Sequence, residues 1–587
     1  MKFTGTQTHT ITPTINTVSS TLVSFQQEGD VKEQDFSGSG TLQLPKFPKL
    51  GLTYDDNKVD SSQLFRTDKT NDYGVTLDYV VPTQRAYLPR NISLGYKVTK
   101  LKINFGDGAM AGASDPFQAS NTTDDTYDMN AKLAFQPMTG FTFNPNFARS
   151  VQRETKEARF ATIDPVSLST TVAPSSETLT YDKLKSQTMG FDSVLGIKRW
   201  FSPRLRYTIT NRETYGIPLA SEPDAASSKN VDRTATGETA WDFAWRDFSK
   251  SVRPLQSLNV VSSYLMEDGD SWQNVAGGYN SLNTFTVRDS LANGTRTNLT
   301  IRDTFRSTQR LSPFDWATYW TGPLQPLKTM SLTSTYTNTK QRQETTGTPS
   351  KIVTQIFPDL VVGLTQTENF FHAQRFMSNS QMNVKTQYKT VDTIGTTLEK
   401  SSSNGGDWRF TLFKKLDLFV TYTRTTDNLF DRINNIVTSD SHGETLGTQL
   451  GFNIGKWRVT PKYDQTVQQT TDSSGRLTVD QTSRTPAVQV YADLFLPAGL
   501  KLPFGDLVVF SNRIRTTDTL SLQQQRSSLD QLNTNTDTYK ITTTNDYELT
   551  SNMRLTFGGS YFYVVNKIDS DANSYGYEFN TLLTIQF

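Results

Sequence analysis

The sequence predicts an all-β fold: a large antiparallel transmembrane β-barrel, or the C-terminal part of one, with roughly two dozen strands. Three observations predict it. The C-terminal residues alternate between apolar and polar, similar short runs recur along the chain, and several runs are joined in pairs by tight turns. Alternation with a period of two means that one face of a strand meets an apolar phase and the other meets water. A mean hydropathy of −0.52 fits this fold, because a barrel strand needs only alternate residues to be apolar.

The C-terminal run is the clearest single strand. Its apolar positions are Tyr577, Phe579, Leu583, Ile585 and Phe587, with mostly polar residues between them. An aromatic residue at the last position resembles the sorting signal that ends bacterial outer-membrane barrels. The run therefore predicts the outer membrane of a Gram-negative bacterium as the location. It also predicts outer-membrane lipid and the barrel assembly machinery as partners.

Further strands and hairpins follow from the same pattern. Residues Tyr73 to Val81 form the best internal strand, with β-branched and aromatic side chains on one face. Turns are predicted at Pro137–Gly140, Lys414–Lys415, Gly455–Lys456 and Ser551–Asn552, each between two alternating runs. Polar stretches at 220–239 and 471–485 are predicted to be longer loops, which would give the barrel short turns on one side only.

The composition argues against an enzyme, a cofactor and nucleic-acid binding. Lys plus Arg (59) balances Asp plus Glu (58), so no charge excess attracts an anionic partner. The chain has no Cys and three His, which leaves no material for a thiolate site or a recognisable catalytic triad. Two acidic clusters, Asp55-Asp56-Asp60 and Asp124-Asp125-Asp128, offer oxygens of the kind that Ca²⁺ prefers. Neither cluster has the spacing of a calcium loop, and solvated loop tips are the favoured interpretation. No catalytic, cofactor-binding or metal-binding residue is predicted.

Trp200, Trp320 and Trp457 are candidates for an aromatic interface belt. Each lies beside a turn that contains Pro or Gly, where a belt would meet the membrane surface. Packing of Trp at strand ends, as in any β protein, is the equal alternative. A separate alternation, Trp241-Phe243-Trp245, is interpreted as a lipid-facing strand rather than a stacking platform for glycans.

Charged residues between the apolar ones are predicted to line a polar lumen. Because no block of one sign occurs, no preference for anions or cations is expected. The residues are Lys97, Lys132, Asp242, Arg458 and Lys462.

A family resemblance adds to this interpretation. The last ninety or so residues resemble the C-terminal end of the Sov/SprA family, the outer-membrane translocon barrels of type IX secretion. The resemblance rests on Leu500–Gly505, the hairpin across Asn552 and the terminal strand ending in Phe587, and on similar Phe-Pro strand entrances at Phe47 and Phe357. It implies a conduit for secreted protein cargo, working with periplasmic and plug subunits. No residue-level site is implied.

Family members are longer than this chain, and no apolar leader follows Lys2. We therefore expect the sequence to be the C-terminal part of a longer protein. No linker divides it, so residues 1–587 are predicted to be a single outer-membrane β-barrel region without a separable soluble domain. The leading function is an outer-membrane conduit for protein export. The alternatives are a passive porin or uptake channel, and a secreted β-rich adhesin.

Overall fold

The computed structural model describes residues 2–12, 29–61, 66–82, 85–105, 121–163, 170–196, 198, 200–216, 228–248, 251–291, 294–345, 348–495, 500–501, 507–508, 513–529, 535–550 and 553–585. The first ten strands are β1 Lys2–Thr12, β2 Gly29–Leu42, β3 Lys49–Ser61, β4 Arg66–Val80, β5 Asn91–Phe105, β6 Asn121–Met138, β7 Phe141–Ile163, β8 Thr170–Leu195, β9 Arg204–Tyr215 and β10 Lys229–Ala244. The next ten are β11 Asn259–Val275, β12 Thr295–Leu311, β13 Ser331–Thr345, β14 Thr348–Thr365, β15 Met377–Thr393, β16 Thr397–Leu412, β17 Leu416–Asp431, β18 Ile436–Ile454, β19 Trp457–Asp472 and β20 Leu477–Phe495. The last are β21 Leu500–Lys501, β22 Leu507–Val508, β23 Arg513–Arg526, β24 Thr536–Thr550, β25 Met553–Asn566 and β26 Ser574–Ile585.

In the part of the chain that the structure describes, 24 strands belong to one sheet, and β21 and β22 form a separate pair. Every pairing whose register is determined is antiparallel. Within the 24-stranded sheet, each joins strands that are consecutive along the chain, such as β3 with β4 and β25 with β26. The predicted fold class, all-β and antiparallel with roughly two dozen strands as in outer-membrane barrels, is confirmed.

The chain divides into two compact units. Unit 1 comprises 1–241, 263–304 and 341–350, and unit 2 comprises 242–262, 305–340 and 351–587. Strands β1 to β9 lie in unit 1 and β15 to β26 lie in unit 2, whereas β10 to β14 have residues in both. The prediction of one undivided barrel region stays a prediction.

Within unit 1, apolar side chains of neighbouring strands lie side by side on one face. Residues paired across antiparallel strands point to the same face, and successive residues along a strand point to opposite faces. The central row across β3 to β6 consists of Leu52, Val75, Tyr96 and Met129. The rows on either side of it are Leu50, Leu77, Leu94, Ala131 and Tyr54, Tyr73, Val98, Tyr127. The opposite face carries Gly51, Thr76, Gly95 and Asn130, so these strands separate an apolar face from a polar one.

The hairpins predicted from sequence are confirmed, but the polar stretch 471–485 is not a loop. It forms the ends of β19 and β20, which are joined by a tight turn at 473–476. The part of 220–239 that is described, from Lys229 on, belongs to β10. Apart from Leu477 and Val479 in β20 and Val231 and Ala235 in β10, these strand ends carry small or polar side chains on both faces, so the sequence pattern predicts a strand only weakly. The turn at Ser551–Asn552 lies outside the described residues.

The two Phe-Pro motifs differ in the structure. Phe47 lies directly before β3, as a strand entrance should, whereas Phe357 lies inside β14. The Phe357–Pro358 peptide bond is cis, and the register against β15 shifts between Ile356 and Asp359. The prediction of a strand entrance at Phe357 is therefore wrong: proline, which cannot donate a ladder hydrogen bond, is accommodated at a bulge.

The helices are short. They are α1 Trp245–Phe248, α2 Gln325–Lys328 and α3 Thr367–Phe370, and each lies in a connection between strands. The predicted strand Trp241-Phe243-Trp245 ends earlier than expected, because β10 stops at Ala244 and Trp245 begins α1. Among the described residues, no helix combines the length and the apolar character needed to cross a membrane.

Candidate functional site

The exposed apolar face of unit 1 is the first functional feature. The central row is about half exposed: Leu52 48%, Val75 41%, Tyr96 47% and Met129 45%. Contiguous apolar patches of this kind are rare on soluble monomers and mark sites of interaction with a membrane, another protein or a ligand. At about 3.3 Å per residue, the apolar run of β4 from Tyr73 to Tyr79 extends roughly 20 Å along the strand.

Unit 2 carries a similar apolar row near the C-terminus. Leu520, Ile541, Tyr561 and Tyr577 are paired in register across β23 to β26, and all are exposed. The adjacent row on the opposite face is Thr519, Thr542, Ser560 and Glu578. Asp518 and Thr543 form the next pair on the same face, two residues along the strands from Leu520 and Ile541. This face is therefore less uniformly apolar than that of unit 1.

The charged residues predicted to line a lumen lie on the polar face of their strands. Lys97 pairs across β4 and β6 with Gly74 and Asp128, and its ammonium lies 2.8 Å from the Asp72 carboxylate. The other four residues occupy equivalent alternate positions on β6, β10 and β19: Lys132, Asp242, Arg458 and Lys462. Ion pairs between neighbouring strands neutralise this face locally, in line with the absence of a one-sign block in the sequence.

A denser set of ion pairs occurs on the polar face of β20 to β25. Arg513 donates to Asp493 at 2.6 Å, and Arg515 lies 3.4 Å from Glu548. Arg554 pairs with Asp546. The signs alternate from strand to strand, which stabilises the register and leaves little net field.

Unit 1 contains a feature that the sequence did not predict. Residues 276–291, here called the folded-back segment, leave β11 and lie against β8 to β11 on the face that carries the apolar rows. Arg233 and Asp270 are fully buried beneath it, and the Arg233 Nε donates to Asp270 Oδ1 at 2.9 Å. The same guanidinium donates to the carbonyl oxygens of the segment at Thr286 (3.1 Å) and Asp289 (2.7 Å).

A second buried pair anchors the start of the segment. The Lys229 Nζ lies 2.7 Å from Glu213 Oε1, and both side chains are almost fully buried. Glu213 also accepts from the backbone N–H of Ser281 at 3.1 Å, and Lys229 donates to the Tyr279 carbonyl. Buried charges are tolerated only when they are paired and hydrogen-bonded, and the folded-back segment supplies several of these partners.

The end of the segment that contains Phe285 is also held by hydrogen bonds. The Tyr207 hydroxyl donates to the Phe285 carbonyl. Next to it, the Tyr264 hydroxyl of β11 donates to Asp303 Oδ1 of β12 at 2.7 Å. Arg288 donates to Asp268 at 2.6 Å and to Asp303 at 2.9 Å. The hydrogen bonds to these two carboxylates, that to Asp268 above all, raise the pKa of the Arg288 guanidinium well above its usual range.

Of the predicted sorting residues, Tyr577, Phe579, Leu583 and Ile585 lie in β26, and Phe587 lies outside the described residues. Tyr577 is 83% exposed and Phe579 is 76% exposed. The predicted belt residues Trp200, Trp320 and Trp457 lie at strand ends or in connections, as expected. Trp200 lies 5.9 Å from the Phe201 ring, Trp320 lies 5.2 Å from Phe314, and Trp457 begins β19. Sorting and belt roles stay predictions.

The acidic clusters are not loop tips, so that interpretation was wrong. Asp55, Asp56 and Asp60 lie within β3, and Asp124, Asp125 and Asp128 lie within β6. Alternation places neighbouring members on opposite faces, and lysines approach them, as Lys69 approaches Asp56 at 3.5 Å. Within the described ranges, no group of His, Cys, Asp or Glu is arranged to hold a metal ion.

Comparison with protein-family models and with curated proteins finds no match. Among solved structures, the chain is similar to the outer-membrane transporter YddB from Escherichia coli, with 9% identity, a TM-score of 0.35, and coverage of 89% of this chain and 76% of that one. It is similar to the copper transporter OprC, with 10% identity, a TM-score of 0.37, and coverage of 90% and 79%. A mutant of the ferric enterobactin receptor PfeA from Pseudomonas aeruginosa gives 10% identity, a TM-score of 0.35, and coverage of 94% and 80%.

With identities of 9–10% and TM-scores of 0.35–0.37, these likenesses carry no functional argument. The resemblance to the Sov/SprA family stays a prediction; of its supporting motif Leu500–Gly505, all but β21 lies outside the described residues.

Proposed function

We propose that this chain crosses the bacterial outer membrane as a β-barrel and forms a conduit for exported proteins, as part of a translocon. One observation carries the proposal: three adjacent rows of half-exposed apolar side chains cover one face of β3 to β6, and the other face of the same strands is polar. In water, the apolar face would be a large unfavourable surface. If lipid covers the apolar face and water covers the polar face, each face meets a solvent of matching polarity.

The number of strands supports a wide conduit. The diameter of a closed barrel grows with its strand number, and porins with 16–18 strands already enclose an aqueous channel. A barrel closed from the 24 strands of this sheet would be wider. A wide lumen suits a macromolecular cargo better than a single small solute.

The chemistry of the polar face also supports a cargo that is not selected by charge. Glycine and hydroxyl residues occur on this face together with ion pairs in which each positive side chain has a negative neighbour, such as Lys97 with Asp72 and Arg513 with Asp493. Such a surface is wet, weakly charged overall and tolerant of varied polypeptides. The predicted partners are outer-membrane lipid, the barrel assembly machinery, periplasmic and plug subunits, and the secreted cargo.

Location and fold are tested by extraction and electrophoresis. We expect the chain in the outer-membrane fraction, soluble only with detergent, and with faster migration before boiling than after. A chain that stays soluble without detergent and migrates identically in both states would instead be the secreted adhesin.

The conduit is tested by reconstitution into liposomes loaded with dextrans of graded size. We expect release of dextrans too large for a general porin, from the chain alone or after removal of a co-purifying plug subunit. If neither preparation releases these dextrans and the chain shows only a small, steady ionic conductance, export is refuted and the porin or uptake channel is supported.

A further inference from the structure

We propose that the folded-back segment rests on the surface of the bilayer, with the Phe285 ring inserted among the lipids beside Tyr207. The inference depends on the proposed membrane-spanning function. It adds the position along β9 at which the lipid-facing surface ends.

The direction of the segment supports the proposal. Its start contacts Lys229, which pairs with Tyr215 on β9, whereas its middle contacts Tyr207 on the same strand. At about 3.3 Å per residue, these two points on β9 are roughly 25 Å apart. The segment therefore runs along β9 from Tyr215 to Tyr207 and turns back at Phe285, because Asp289 again contacts Arg233.

The two tyrosines mark the boundary. The rings of Tyr207 and Tyr264 lie on the same face as Phe191 and Met266. The Tyr207 hydroxyl donates to the Phe285 carbonyl, and the Tyr264 hydroxyl donates to Asp303 of β12, which also accepts from Arg288 of the segment. Tyrosines with an apolar ring on one side and a hydrogen-bonded hydroxyl on the other are typical of the membrane–water interface.

The residues beyond this boundary could not face lipid. Glu213, Arg233 and Asp270 lie on the same face as Tyr207 but further along the strands. Charges on a lipid-facing surface are costly. The segment covers them with its own carbonyl and N–H groups, so the lipid-facing part of β9 ends near Tyr207, where the segment turns back.

Phe285 is the large apolar side chain of the segment that lacks cover. Its side chain is 67% exposed, although its backbone carbonyl is held by Tyr207. Leu205 and Tyr264 on the same face of the sheet are also exposed, so Phe285 continues the face that the proposed function already assigns to lipid. We therefore identify lipid as the occupant.

Site-directed spin labelling tests the proposal, and the chain contains no native Cys, so each variant carries one thiol. The labelled positions are Phe285→Cys, Asn280→Cys on the exposed start of the segment, Val75→Cys on the apolar face and Thr76→Cys on the polar face. In lipid vesicles, we expect labels at 285 and 75 to be more accessible to oxygen than to a water-soluble nickel chelate, and labels at 280 and 76 to show the reverse.

The outcomes separate the two proposals. If the label at 285 is as accessible to nickel as that at 280 while the label at 75 is in lipid, this inference is overturned and the membrane-spanning function stands. If the label at 75 is also accessible to nickel, the proposed function itself fails. As a second measurement, Tyr207→Phe removes the donor to Phe285, and the label at 285 should become more mobile; an unchanged spectrum would contradict the anchoring role of Tyr207.

Discussion

Replacing Val75 by arginine tests the assignment of the two faces most directly. Val75 lies in the middle of the three apolar rows, between Leu52 and Tyr96, and is 41% exposed. A lipid-facing arginine near the middle of the bilayer destabilises a transmembrane barrel by about 2–4 kcal/mol. This corresponds to a decrease in the folding equilibrium constant of roughly 30- to 700-fold.

Thr76→Arg is the matched control on the same strand. Thr76 faces the polar side, where it pairs with Gly51 and Gly95. Neither glycine has a side chain, so an arginine has room to extend into water. We expect Thr76→Arg to change the free energy of unfolding by less than about 0.5 kcal/mol.

The assay is reversible denaturant unfolding of the chain in lipid vesicles, followed by tryptophan fluorescence, since the chain contains 8 Trp. A large loss for Val75→Arg together with a small one for Thr76→Arg supports the assignment. Equal effects of the two variants would refute it, and a larger loss for Thr76→Arg would indicate that the faces are reversed.

Three further predictions concern other parts of the chain. Arg233→Met leaves the buried Asp270 carboxylate without its hydrogen-bonded cation, with Arg296 only 4.0 Å away, and should cost about 3–5 kcal/mol, measured as a lower denaturant midpoint. Adding Asp270→Leu should restore most of the loss, and a single variant with an unchanged midpoint would contradict burial of the pair. Gly140→Ala should cost about 1–3 kcal/mol in the same assay, because Gly140 has φ +86° and an added Cβ would lie 2.6 Å from the Gly196 carbonyl oxygen. An unchanged free energy of unfolding would contradict this turn geometry. Phe587→Ala should lower the fraction of heat-modifiable, membrane-assembled chain, whereas its neighbour Gln586→Ala should not, and equal assembly of both variants would argue against a C-terminal sorting signal.

The sequence predicted those strands whose two faces meet different surroundings. Tyr73 to Val81 and the hairpin across Gly455–Lys456 alternate because one face is apolar and the other polar, and the structure has strands there. The same reasoning failed at 471–485. Apart from Leu477 and Val479, both faces of β19 and β20 are polar there, so a strand and a solvated loop have nearly the same composition.

The folded-back segment was beyond sequence reasoning. Arg233 and Asp270 are far apart in the chain, and nothing in their spacing distinguishes a buried pair from two solvated side chains. The same is true of Glu213 and Lys229. They lie on the neighbouring strands β9 and β10, but strand pairing alone does not bury them. Only the position of residues 276–291 over these strands removes them from water.

By itself, the sequence determined the fold class and the polarity of the strand faces, because alternation is a local property that neighbouring residues encode. It also placed the candidate charged residues on the polar face. The tertiary structure decided where the strands continue beyond their apolar runs and which charges are buried. It also placed Phe285 beside Tyr207, because these features depend on contacts between segments that the chain order does not specify.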